Sequence, residues 1–358
     1  MNILEQLYNQ TLGSEPFVIR KVQLEAMQKI NLFGVRGSGK SAIVFDFLKT
    51  YCEDEEEYLY IDFDDPLLFF ESIDAKELES FIDEYGISTL VLDHFSLDKL
   101  EYIPKVESTI VVSRSNLGLE GFDVQELFAL DYEEFIAFEK KATQNSLNNF
   151  LKLGTLPQFA RDGVVSVDRI KRFLSYSFSN NEQHLLAILA QHNTQHITIN
   201  QIYQWAKERF KISKDWLYKT LKLWQEEKLI IFIPNRYQKS SKKMIFFDFT
   251  LPRYLCTTHT FITRFDNLIA LALLKHYHDF EAIGSSEYII TATNEAVILA
   301  PFDSDEDAWK KCYLRFNTYQ KYAIKKVNIV TVANQYTFSI KDIEFEAMPF
   351  TQWSIVST

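Results

Sequence analysis

KINLFGVRGSGKSAIVFDFLK, residues 29–49, reads as a short apolar strand, a glycine-rich turn and the opening of a helix with apolar residues at helical spacing. Inside it, GVRGSGKS fits the spacing G-x-x-x-x-G-K-[ST] at Gly34, Gly39, Lys40 and Ser41. Glycines let such a turn point its amides inward, so Gly34, Val35, Arg36, Gly37, Ser38, Gly39, Lys40 and Ser41 are expected to cradle an anion at the positive end of the following helix. Lys40 is expected to reach the β- and γ-phosphates of a purine nucleoside triphosphate, and the Ser41 hydroxyl to coordinate its magnesium.

Working outward, apolar runs alternate with helical patterns: SAIVFDFLKTYC, YLYIDFDD, AKELESFIDEYG, STLVLDHF and STIVVSRS. That alternation predicts crossover units and an α/β domain with a mainly parallel, buried sheet. A triphosphate site also needs an acid at the end of a buried strand, and STLVLDHF supplies Asp93 as the metal's partner through water. His94 follows it and is either a base for the attacking water or a non-catalytic substitution. Asp62, Asp64 and Asp65 end another strand, where they either approach the metal through water or cap and solvate the strand end. Ser113, after STIVV, would sit beside the γ-phosphate if its strand neighbours the loop.

At 358 residues the chain is long enough for two or three cores. The net charge of −11 opposes a whole-surface affinity for nucleic acid, but it hides an asymmetry. Residues 1–160 hold 13 Lys and Arg against 29 Asp and Glu, and residues 182–255 hold 12 against 6. Three segments are therefore expected: 1–180, 181–255 and 256–358. In the second, EQHLLAILAQH, a helix capped by Thr198 with Gln201, and SKDWLYKTLKLWQEEKL with Leu217, Leu221 and Trp224 on one face precede a hairpin, LIIFIPNRY and KKMIFFDF. Three helices and a basic hairpin outline a winged helix. Lys214, Lys219, Lys222, Arg236, Lys239, Lys242 and Lys243 would then either offer contacts to duplex DNA phosphates or stand solvated on a winged helix that serves as a rigid spacer. The third segment reads as a helix, NLIALALLKHYHDF, followed by strands. Cys52, Cys256 and Cys312 have no metal-ligand spacing, and His192, His196, His276 and His278 read as satisfied or solvated side chains. The acid run Glu53 to Glu57 reads as a solvated helix end or loop. With no run near the roughly 18 apolar residues of a membrane span and no signal-peptide pattern, a cytoplasmic location is expected.

The order of these pieces resembles a family of bacterial and archaeal AAA-type ATPases whose C-terminal half is a domain of unknown function with a restriction-endonuclease-like α/β fold. GVRGSGKS matches the family's phosphate loop, YIDFDDP its strand with paired acids, TLVLDH its metal-binding strand and LFALDYEEFIAF its leucine-rich segment. FLKLGTLPQF is similar to its Tyr-Leu-x-x-Gly-Gly-x-Pro stretch through Gly154 and Pro157. The resemblance implies ATP, rather than GTP, with Mg2+, and no guanine-reading Asn-Lys-x-Asp segment occurs. It implies an ATP-binding protein with slow hydrolysis at most, because the family's glutamate is replaced by His94 and its Gly-Arg pair is missing from GLEGFDVQE. The related nucleases carry Glu-x-Asp and a strand ending in lysine. Here Glu287 remains, Ile289 replaces the acid and Ala300-Pro301 replace the lysine, which implies a scaffold without nuclease chemistry. The expected function is an ATPase-type protein coupling nucleotide state to the later segments, with a DNA-binding regulator acting through 182–255 as the alternative. Assembly into oligomers is left open by the sequence.

Overall fold

The computed structural model describes residues 2–13, 18–52, 57–139, 145–277 and 279–356. His278 and Glu53–Glu56 lie outside the described residues. Contacts divide the chain into a first unit, Met1–Ala129 with Glu226–Lys228, and a second, Leu130–Gln225 with Leu229–Thr358.

In the first unit, α1 (Ile3–Tyr8) precedes β1 (Lys29–Phe33), α2 (Lys40–Tyr51), β2 (Tyr58–Asp62), α3 (Ala75–Tyr85), β3 (Thr89–Asp93), β4 (Ser108–Ser113) and β5 (Asp123–Glu126). The five strands form one sheet in the order β2-β3-β4-β1-β5, with every pairing parallel. Side chains alternate across it. Leu90 and Leu92 join the α1 and α3 cluster on one face, while Val91, Ile110 and Val112 join the α2 cluster on the other. Both faces are thus buried, which is why β3 and β4 read as unbroken apolar runs. Local signals set the helix ends. Asp74 caps α3 by accepting from the amides of Lys76 and Glu77, and Gly86, left-handed at φ 65°, stops it.

The second unit opens with α4 (Tyr132–Phe138), α5 (Ser146–Leu153), α6 (Pro157–Asp162) and α7 (Val167–Ser177). It continues with α8 (Asn180–Gln191), β6 (His196–Ile197), α9 (Ile199–Arg209), α10 (Lys214–Glu226), β7 (Ile230–Pro234) and β8 (Lys242–Phe246). Thr198 and Gln201 cap α9 reciprocally, as its sequence predicts, and Leu217, Leu221 and Trp224 of α10 are buried. The three strands pair antiparallel in the order β6-β8-β7. After α11 (Pro252–Leu255) come α12 (Phe261–His276), β9 (Phe280–Ala282), β10 (Glu287–Ile290), β11 (Glu295–Leu299), α13 (Asp305–Lys321), β12 (Lys326–Thr331), β13 (Tyr336–Ile340), β14 (Ile343–Pro349) and α14 (Phe350–Val356). These strands make a mixed sheet, β13-β14-β12-β11-β10-β9, in which α13 connects the parallel pair β11 and β12.

This grouping differs from the three segments expected from charge. The stretch 130–180 joins the second unit, where buried polar groups tie it to the segment that follows β8. Asp248 accepts from the Thr155 amide at 2.6 Å and its hydroxyl at 2.8 Å, and from Thr250 and the Leu251 amide through its other oxygen. Gly154 permits that approach, since a Cβ there would lie 2.4 Å from Asp248 Oδ2. Lys243 of β8 is likewise interior, 2.6 Å from Asp266 of α12, an ion pair that links the stretches before and after residues 255 and 256 within the second unit. A net charge count cannot see such pairs.

Candidate functional site

The glycine-rich turn leaves β1 and enters α2 as its sequence requires. Gly37 and Gly39 hold φ of 78° and 95°, values that cost an L side chain strain. Gly34 serves a different need, because a Cβ there would lie 2.2 Å from the Leu127 carbonyl oxygen. Lys40 folds back over the loop, donating to the carbonyls of Gly34 at 2.8 Å and Val35 at 3.0 Å. Burial lowers its pKa to about 8, opposed by the charges of Asp93 and Glu227. Ser38 is fully buried with no hydrogen-bond partner for its hydroxyl among the described residues.

Asp93 ends β3 fully buried. Its Oδ2 accepts from Ser41 Oγ at 2.6 Å and from the Tyr60 hydroxyl at 2.7 Å, and its Oδ1 accepts from the His94 amide at 2.8 Å. The loop and the acid strand, read separately from sequence, therefore meet through the serine and the aspartate. β4 lies between β1 and β3, in register Phe33 to Ser113, so Ser113 sits on the strand next to the loop. There its hydroxyl donates to the Ser115 carbonyl at 2.7 Å and accepts from Asn31 at 2.8 Å.

His94 adopts the left-handed conformation at φ 52°. Its Nδ1 lies 2.7 Å from Asp62 Oδ1, 3.7 Å from Asp93 Oδ1 and 3.9 Å from Asp64 Oδ2. The bond to Asp62 raises the imidazole's pKa above its ordinary value, with burial opposing it. Asp62 thus has a partner, while Asp65 caps the next turn by accepting from the Leu67 amide. Sequence reading missed five residues here. Tyr60 and Asn31 look like ordinary strand positions, Arg20 donates to the Ser38 carbonyl at 2.7 Å from 18 residues away, and Glu227 meets Arg36 from 191 residues away. Only Arg114, directly after Ser113 and 3.8 Å from Asp64, carried a local signal.

Of the basic set read as phosphate contacts, Lys243 needs correction. Lys243 is buried against Asp266 and 4.5 Å above the Tyr288 ring, and Arg236 pairs with Glu281. Lys214, Lys219, Lys222, Lys239 and Lys242 are exposed. His192 stacks on Trp205, and His196 lies 3.0 Å from the Gly284 carbonyl, so neither lacks a partner. The cysteines are free thiols, Cys312 buried and the others half-buried. In the last sheet Glu287 pairs with Arg315 beside a cavity of about 100 Å³ that Cys312 and Tyr319 also line. No helix of the described residues is long and apolar enough to cross a membrane.

A glycine-rich loop between a strand and a helix, on a parallel five-stranded sheet with an acid at the end of a nearby strand, defines a P-loop domain of the nucleotide-binding ATPase type. Residues 27–116 match the family model described as an AAA domain. Among curated proteins none matches the chain. Among solved structures it is similar to the Walker-type ATPase PABY2304 of Pyrococcus abyssi, with 13% identity, 63% of this chain and 90% of that chain covered, and a TM-score of 0.42.

Proposed function

We propose that the first unit binds ATP with magnesium and hydrolyses it slowly. The observation that carries this reading is the 2.6 Å contact between Ser41 Oγ and Asp93 Oδ2. A hydroxyl and a carboxylate are the hard oxygen donors that suit magnesium, and no group of three or more His, Cys, Asp and Glu among the described residues would hold a metal without phosphate oxygens. Ser41 and Asp93 would hold magnesium, whose positive charge would offset that of the phosphates. The amides of Val35 to Lys40 would cradle those phosphates, and Lys40 would turn to them from the Gly34 and Val35 carbonyls. Ser113 would report the γ-phosphate. His94 would orient or deprotonate the attacking water through Nε2, the nitrogen left as acceptor when Nδ1 donates to Asp62. Slow turnover follows from an imidazole standing where a carboxylate is usual.

For the second unit, we propose that 181–255 is a winged helix and that 256–358 is a nuclease-like scaffold. The order α8-β6-α9-α10-β7-β8 supports the first reading, and α12-β9-β10-β11-α13-β12 the second. Arg315 neutralises Glu287, with Ile289, Ala300 and Pro301 at the other positions, so a metal-dependent cleavage site lacks its donors. Calorimetry of ATP, ADP and GTP with magnesium, followed by phosphate release, tests the central claim. Binding of ATP by the native chain and its loss in Lys40→Ala are expected; equal binding by both proteins would remove the claim.

A further inference from the structure

We propose that Glu227 is an internal phosphate mimic, held by the loop's own cations and displaced when a polyphosphate enters; this rests on the nucleotide-binding reading above. The turn Glu226–Lys228 groups with the first unit, although 191 residues separate Glu227 from Arg36. Its carboxylate takes a forked contact from the Arg36 guanidinium, Nε to Oε2 at 3.2 Å and Nη2 to Oε1 at 3.4 Å. The pair is nearly dry, with the Glu227 side chain 2% exposed and that of Arg36 11% exposed.

A buried carboxylate is retained only where positive charge surrounds it. Burial pushes its pKa up from the ordinary carboxylate value, and the charges of Arg36 and Arg114, and after them Lys40, oppose that rise. Arg36 and Lys40 belong to GVRGSGKS, and Arg114 follows the strand that neighbours the loop. These are the cations a bound polyphosphate would engage. Carboxylate and phosphate each present a pair of acceptor oxygens to a guanidinium fork, so Arg36 cannot serve both in full. Binding an anion at the loop therefore includes the cost of releasing Glu227, which lowers apparent affinity.

The experiment titrates inorganic tripolyphosphate and Mg-ATP into the native chain and Glu227→Gln at low salt, by calorimetry. Removing one competing charge at this site should tighten both ligands by about tenfold, the equivalent of one strong charge pair. Equal or weaker binding of both ligands by Glu227→Gln would overturn the proposal while leaving ATP binding standing. Tighter tripolyphosphate without any ATP binding would support the mimic and sink the nucleotide reading. If neither ligand binds either protein, both readings fall. Thermal unfolding of the variant checks its fold; should Glu227→Gln misfold, Glu227→Asp keeps the charge but shortens its reach. Tightening in the same direction is then expected, and its absence would count equally against the mimic.

Discussion

The Tyr60 hydroxyl donates to Asp93 Oδ2 at 2.7 Å, from the strand alongside. Ser41 Oγ shares the same oxygen at 2.6 Å, so two donors aim one carboxylate at the loop. Tyr60→Phe removes one of them without emptying space. The expected result is a stability loss of about 1 kcal/mol and a few-fold loss in Mg-ATP affinity. Urea unfolding and calorimetry read the two effects; a variant identical to the native chain in both would show the hydroxyl to be idle.

Asp93 and Ser41 should matter only when the metal is present. Asp93→Asn keeps the shape and the capacity to accept from Tyr60, but it replaces an anion by a neutral amide at a fully buried position. ATP affinity measured with magnesium should fall about tenfold, while affinity in excess chelator stays near the native value. Equal losses under both conditions would assign Asp93 to the architecture of the loop and not to the cation.

Glycine positions discriminate close approach from backbone freedom. Gly34→Ala places a Cβ 2.2 Å from the Leu127 carbonyl oxygen, and Gly154→Ala places one 2.4 Å from Asp248 Oδ2. Neither neighbour can retreat, because Leu127 is tied to the Phe33 carbonyl at 2.7 Å and Asp248 satisfies Thr155, Thr250 and Leu251 together. Each variant should lose roughly 3 kcal/mol or fail to fold. Gly86 has φ 65° with open space around it, so Gly86→Ala should cost only about 1 kcal/mol. Similar losses at all three would refute the distinction.

Much of the first unit is legible in the sequence. β1, α2, β2, α3, β3 and β4 follow apolar runs and glycine or acid punctuation, and all of these are local signals. β5 carries no such mark: DVQE is half exposed, and only pairing with β1 makes it a strand. Strand order was not readable either, so the place of Ser113 beside the loop depended on a condition that only the β1 to β4 register satisfies. Arg20, Tyr60 and Glu227 act through partners 18, 33 and 191 residues away, and nothing in their own neighbourhoods announces it. In the second unit, the charge excess of 182–255 suggested an open basic face, whereas Lys243 spends its charge internally on Asp266.

That last pair separates a structural lysine from one that grips a phosphate. Lys243 and Asp266 are almost wholly buried, and Tyr288 donates to the same carboxylate while Lys243 Nζ also donates to the Ser285 carbonyl at 2.7 Å. Lys243→Met would strand Asp266 as a buried acid with only the hydroxyls of Tyr288 and Thr194 in place of its counter-charge, at a cost of about 3 to 5 kcal/mol. Lys243→Met with Asp266→Asn removes both charges and should cost less than the single change, which a double-mutant cycle in urea would detect. A lysine that contacts DNA behaves in the opposite way: its neutralisation leaves stability alone and weakens retention of duplex DNA in a low-salt mobility shift. The expected outcome for Lys243 is a large stability loss at unchanged DNA retention. A stable Lys243→Met protein with altered retention would return this residue to the surface role that its sequence position suggested.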